Sequence, residues 1–156
     1  MPKFIVPPLG AKIMSLQNPT KKMSKSENNY LALSDKPTDI RKKILKAETD
    51  SENKIYYDPK NKPGISNLLV IYTLLKTSPK AEMTLQKAEK EVTTLNYHQF
   101  KTKLCELLID KLQVIQNNLL FYRKKTDELL KKNYLYLQKL AKDKIQKMKK
   151  VIHLSQ

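Results

Sequence analysis

From Phe100 onward the apolar residues fall at steps of three and four. The first run is Phe100, Leu104, Leu108, Leu112, Ile115, Leu119 and Tyr122. The second is Leu130, Tyr134, Leu137, Ala141, Ile145, Met148 and Ile152. That spacing is the period of an α-helix with one apolar face. The segment between the runs, Arg123 to Asp127, is polar and predicts a turn. The pattern therefore predicts two long helices near 98–124 and 127–152, packed antiparallel as a pair or bundle. Composition narrows the choice further. The chain has 2 Gly and 8 Pro, too few glycines for a dinucleotide-binding fingerprint or a P-loop. With one cysteine, Cys105, there is no internal disulfide and no Cys-rich zinc or iron–sulfur site. His98 and His153 stand too far apart for a local metal motif.

The first half is less regular. Strand signals are confined to the first 16 residues, and the apolar, proline-rich start reads as a loop or strand end, not a signal peptide. Lys21 to Asn29 is polar and charged without apolar periodicity, which predicts a mobile surface loop. Ser34-Asp35-Lys36-Pro37 reads as a helix start with a capping side chain. That helix reaches about Ala47, with Ile40, Ile44 and Ala47 on one face. Asp58-Pro and Pro63-Gly64 are turn punctuation. Ile65 to Leu75 reads as a buried apolar helix, and 79–94 as a charged, weakly amphipathic one. The fold class read from these signals is mainly α.

Lys plus Arg is 31 and Asp plus Glu is 15, a formal net charge of +16 shared by both halves of the chain. Such an excess points to a polyanionic partner, because lysines and arginines on phosphates release counterions. Charge that only maintains solubility is the competing explanation. No run approaches 18 apolar residues, so no membrane span and no membrane partner are expected. With so little cysteine, a reduced cytoplasmic setting fits.

The string with the most chemistry is Lys22-Met23-Ser24-Lys25-Ser26. Two lysines three apart, each close to a serine, can close over phosphates. Lysine brings a mobile point charge; hydroxyls and backbone N–H groups bring hydrogen bonds. The same letters also suit a solvated charged loop.

The string resembles the KMSKS signature of class I aminoacyl-tRNA synthetases, and its surroundings resemble the tryptophanyl-tRNA synthetase family. Upstream stands Gly10-Ala-Lys-Ile-Met-Ser-Leu-Gln-Asn-Pro-Thr-Lys21. Downstream come Asp35-Lys-Pro, Ile40-Arg-Lys-Lys-Ile, Thr49-Asp50-Ser51, Tyr57-Asp58, then Asn61-Lys-Pro-Gly-Ile-Ser-Asn-Leu-Leu69 with Ile71-Tyr72. Tyr97-His-Gln-Phe-Lys101 looks like a variant of that family's Tyr-Gly-x-Phe-Lys. The resemblance covers roughly residues 5–122.

It implies a bacterial-type enzyme's C-terminal half. Residues 1–35 would be the short C-terminal remnant of a Rossmann-type catalytic domain carrying the loop (21–29). Residues 36–156 would be a helical, anticodon-binding-like domain. The implied activity is tryptophan–tRNA ligation: ATP-dependent activation of tryptophan and transfer to its tRNA. The implied ATP-binding residues are Lys22, Met23, Ser24, Lys25 and Ser26. Lys22 and Lys25 would be catalytic, stabilising the pyrophosphate that leaves as tryptophan attacks the α-phosphate. Mg²⁺ would come with the nucleotide, and no protein-bound metal is implied. The family's His-x-Gly-His segment and most of its tryptophan pocket have no counterpart, since no His precedes His98. An N-terminal half in trans, or the homodimer of a full-length enzyme, is the corresponding protein partner, and the tryptophan tRNA the nucleic-acid partner.

Two rivals are an inactive stand-alone tRNA- or RNA-binding helical module and a basic structural protein with an accidental loop match. Cys105, in an apolar stripe, reads as a small buried hydrophobe, and His98 as a turn or surface residue. Asp50 and Glu52 read as a structural link between helices and not as an acid/base pair. The tail from Lys131 holds eight lysines and one acid, read as a solvated face with diffuse attraction for tRNA.

Overall fold

The computed structural model describes residues 9–26, 30–78 and 82–151. The expectations for the first eight residues, for the end of the 21–29 loop, for Ile152 and for His153 lie outside them. Four helices carry the fold: α1 (Pro37–Leu45), α2 (Pro63–Lys76), α3 (Leu85–Val92) and α4 (Tyr97–Val151). Extended chain pairs at an antiparallel bridge from Met14 to Lys22. The mainly α expectation holds.

Helix α2 is the centre of the fold. Gly64 through Thr73 are all buried, as a helix that is apolar all round requires. Its three interior polar side chains are each satisfied. Ser66 Oγ accepts from Asp58 N at 2.9 Å, Thr73 Oγ1 donates to Leu69 O at 2.8 Å, and Asn67 bonds Met14. Around α2 pack Ile40 and Ile44 of α1, Ala88 and Val92 of α3, and Phe100, Leu104, Cys105, Leu108 and Leu112 of α4. Cys105 is fully buried, as expected, and burial pushes its thiol pKa up.

The start of α1 differs from the sequence reading. Its N-cap is Lys36, with no side-chain cap and Pro37 in the first turn. The Asp35 carboxylate instead accepts from Ala32 N at 2.9 Å and pairs with Lys43 at 2.6 Å. It closes the turn before the helix and reaches one cation on it. Helix α3 is capped by Thr84, whose hydroxyl accepts from Lys87 N at 3.3 Å.

Glu91 ties three helices. Its Oε1 accepts from Tyr72 of α2 at 2.8 Å, Lys76 of α2 at 2.5 Å and Lys103 of α4 at 2.9 Å. The Tyr72 ring meets Phe100 edge-on, centroids 5.6 Å apart. Burial alone would raise the Glu91 pKa, but the bonds from Lys76, Lys103 and Tyr72 outweigh it and bring it down to about 2. A carboxylate lowered on folding stabilises fully above its unfolded value of 4.5, and the gain is lost as pH falls from there toward 2. Melting temperatures followed from pH 6 to pH 2 should therefore fall less steeply in Glu91→Gln than in the parent. The differential is on the order of 1–2 kcal/mol once partial solvent screening is allowed for. Parallel curves would remove Glu91 from this role.

The chain separates into two compact units between Val114 and Ile115. The second unit corrects the expectation of a helical pair. No turn interrupts Arg123 to Asp127; α4 runs unbroken from Tyr97 to Val151. The segment holds no Gly or Pro, and Thr126 Oγ1 bonds back to Tyr122 O at 2.8 Å inside the helix. A polar stretch without a breaker does not end a helix. Leu119 and Leu130 are also eleven residues apart, close to three full turns, so the stripe resumes on the same face. In this unit the stripe is exposed: Leu119, Leu130, Leu137 and Met148 all face solvent.

Candidate functional site

The Lys22–Ser26 loop springs from a small hairpin. Ser15 N donates to Lys21 O at 2.8 Å and Met23 N to Ile13 O at 3.0 Å. The reversal between them is built from short polar side chains. The buried Ser15 hydroxyl accepts from Gln17 N and Asn18 N, and Asn18 Oδ1 accepts from Thr20 N and the Thr20 hydroxyl. Such side-chain-to-backbone bonds are how Ser and Asn shape tight turns. Leu16 enters the core, and its carbonyl accepts from Glu48 N at 2.7 Å, just past α1.

On this frame Lys22 and Lys25 are exposed, and no carboxylate of the described residues pairs with either. Met23 is half-buried and packs against the core. The Ser24 and Ser26 hydroxyls lie 2.7 Å apart, a bond that closes the chain beneath Lys25. All five residues named from the sequence thus sit on one short loop with both ammonium groups toward solvent. A triphosphate has acceptor oxygens for such groups, and lysine suits it as a point charge. Among the described residues no three His, Cys, Asp or Glu side chains gather as a metal site.

The downstream strings that sequence inspection treats as separate words meet at one place, 49–62 with 97–101. Lys62, 3% exposed, sits within 2.8 Å of Glu52, 2.8 Å of Lys54 O and 3.4 Å of Asp50, with the Tyr56 ring 4.2 Å from its ammonium. Burial opposes its charge, but Glu52, Tyr97 and Asp50 raise its pKa overall. The Tyr97 hydroxyl donates to Asp50 at 2.7 Å, and burial followed by that bond pushes its pKa up to about 12. Asn53 takes a left-handed φ of 58° and its Oδ1 accepts from Tyr97 N at 2.8 Å. Lys101, also buried, donates to Ala47 O at 2.7 Å and to Thr49 Oγ1 at 3.2 Å. Burial lowers its pKa. Gly64 lies against Glu48 O, where a Cβ would approach to 2.1 Å. The cluster joins the end of α1, the start of α2 and the start of α4. Asp50 and Glu52 are spent on Lys62 and Tyr97, so their role is the structural link that the sequence suggests.

The Asn96–Gln99 pair escaped the sequence reading. Asn96 N donates to Gln99 Oε1 at 3.0 Å, and Gln99 N to Asn96 Oδ1 at 2.8 Å. This reciprocal cap starts α4, and His98 lies exposed in its first turn. An Asn three residues before a Gln, ahead of an apolar helical run, was the available signal.

Residues 2–113 match the family described as tRNA synthetases class I (W and Y). The chain belongs to that family. A tryptophan–tRNA ligase of Listeria monocytogenes is 43% identical over 127 residues, 80% of this chain and 37% of the relative. One of Malacoplasma penetrans is 37% identical over 159 residues, 99% of this chain and 46% of the relative. The crystal structure of tryptophanyl-tRNA synthetase from Mycoplasma pneumoniae superposes with a TM-score of 0.59 at 35% identity, over 69% of this chain and 33% of that one. The chain thus spans between about a third and a half of the length of the relatives it matches. No helix among the described residues is long and apolar enough to cross a membrane.

Proposed function

We propose that this chain supplies the ATP-phosphate loop and the anticodon-binding helical part of a tryptophan–tRNA ligase. The observation that carries the reading is the braced loop presenting Lys22 and Lys25 to solvent above the Ser24–Ser26 bond. The names of the relatives supply the substrate class. Residues 1–35 belong on this reading to the catalytic side and 36–156 to the helical side.

In the first half-reaction the tryptophan carboxylate attacks the α-phosphorus of ATP. The bond to the β-phosphate breaks, and pyrophosphate leaves with its electrons. Lys22 and Lys25 neutralise the charge that grows on the leaving oxygens, while Met23 offers its backbone to the adenine side. Ser24 and Ser26 shape the loop and can donate to phosphate oxygens. No protein nucleophile is needed; positioning and electrostatic stabilisation carry the rate. Mg²⁺ would be held by the nucleotide phosphates. The tryptophan pocket lies mostly in the part of the relatives that this chain does not match, so that part, in trans or within a full-length homodimer, completes the site. The net charge of +16 favours tRNA, and translation places the protein in the cytoplasm.

The test grafts this chain onto the Malacoplasma relative in place of its matching stretch and measures tryptophan-dependent pyrophosphate exchange. The graft should exchange and the chain alone should not. An inactive graft that still binds tRNA would favour the RNA-binding module. Exchange by the chain alone would show that the site is more complete than proposed.

A further inference from the structure

Asn67 lies in the middle of the most apolar helix, 6% exposed, where an aliphatic side chain would serve the core as well. Its amide instead reaches a residue 53 positions earlier. Oδ1 accepts from Met14 N at 2.9 Å and Nδ2 donates to Met14 O at 2.8 Å. One planar amide with a donor and an acceptor thus matches both backbone groups of a single extended residue. Met14 is the residue that bridges Lys22 across the hairpin. Ser66 and Thr73, the other polar residues of α2's interior, bond an adjacent turn and their own helix.

We propose that Asn67 is a positioning residue for the signature loop. By fixing the N–H and C=O of Met14 it sets the plane of the hairpin edge, and through the Met14–Lys22 bridge it sets where the Lys22 side chain leaves the backbone. The inference rests on the phosphate-loop reading for its functional consequence and on geometry for its mechanical one. The two bonds of this buried amide orient the loop, while the packing of α2 does not depend on them.

The experiment compares the full chain with Asn67→Leu, which keeps the branching at Cγ and the number of heavy atoms and removes both bonds; Asn67→Ala, which cannot overpack, is read the same way should Asn67→Leu not fold. The first readout is backbone amide exchange. The amides of Met14, Ser15 and Met23 should exchange roughly tenfold faster, the scale expected for losing this pair of bonds, while those of Leu104 and Leu108 stay within about twofold. The second is titration with inorganic pyrophosphate, followed by the amide shifts of Lys22–Ser26; apparent affinity should fall roughly fivefold. Unchanged hairpin exchange overturns the proposal. So does an equal acceleration through α4, which would make Asn67 a general stabiliser, or an unchanged pyrophosphate affinity despite a loosened hairpin. If pyrophosphate shifts nothing in the parent chain, the titration is repeated in the graft; no shift at Lys22–Ser26 there sinks the phosphate-loop reading, and the exchange data alone decide whether Asn67 fixes the hairpin.

Discussion

Gly64→Ala should lower the melting temperature by roughly 5–10 °C, although alanine is the better helix former. Two effects compete. Alanine in place of glycine favours a helix interior by about 1 kcal/mol, and less in a first turn. Against it, the added Cβ would meet Glu48 O at 2.1 Å and Glu48 C at 3.0 Å. The obstructing atoms are backbone and cannot rotate away. Glu48 is itself anchored, its N–H bonded to Leu16 O, while Lys101 holds the neighbouring carbonyl of Ala47. Relieving the contact means moving α2 away from the 47–49 segment. Overpacking of this kind costs about 1–3 kcal/mol and more where nothing yields, so the clash outweighs the propensity gain. Thermal unfolding followed by circular dichroism at 222 nm measures the balance. A variant as stable as the parent would show that α2 and the 47–49 segment have freedom to separate.

In the active graft, Lys25→Ala should slow adenylate formation by roughly 10²–10³, the usual effect of deleting one contact made to charge in the transition state. Lys25 is exposed, in a turn closed by the Ser24–Ser26 bond. Removing its side chain therefore leaves no cavity and no orphaned partner among the described residues. The loss should appear in the rate and not in the melting temperature. Single-turnover adenylate formation, run beside a melt, separates the two. A rate within a few-fold of the parent would make the loop a solvated charged loop despite its letters. Lys22→Ala should behave similarly, since alanine keeps the backbone that pairs opposite Met14.

Much of the fold was legible because its signals are local. Ile40 and Ile44 mark the buried face of α1, and the apolar run from Ile65 marks α2. The five loop residues were legible as a signature, and the structure sets them on one braced turn. What sequence could not provide was convergence. Asp50, Lys62, Tyr97 and Lys101 sit in three separate strings, and nothing in their spacing says that Lys62 is buried between two carboxylates or that Lys101 reaches Ala47 O. The polarity of Arg123 to Asp127 suggests a turn, but breaking a helix needs Gly, Pro or a competing cap, and α4 passes through the segment. Asp35 departs from its expected capping role for a related reason. A residue with capping chemistry next to a helix start has other backbone N–H groups within reach, and here it takes that of Ala32.

The long-range ties of the first unit bear on how the chain is made. Lys101 bonds Ala47 across 54 residues and Tyr97 bonds Asp50 across 47, while Leu104, Leu108 and Leu112 complete the core around α2. During synthesis α2 therefore leaves the ribosome well before the helix that covers it. Until Leu112 is free of the exit tunnel, Ile65, Leu68 and Leu69 have no complete cover, and the nascent chain presents a sticky apolar helix to chaperones or to its neighbours. A stop codon placed shortly before Leu104 should consequently send the product into the insoluble fraction. One placed just after Val114 removes no residue of that core and should leave the product soluble.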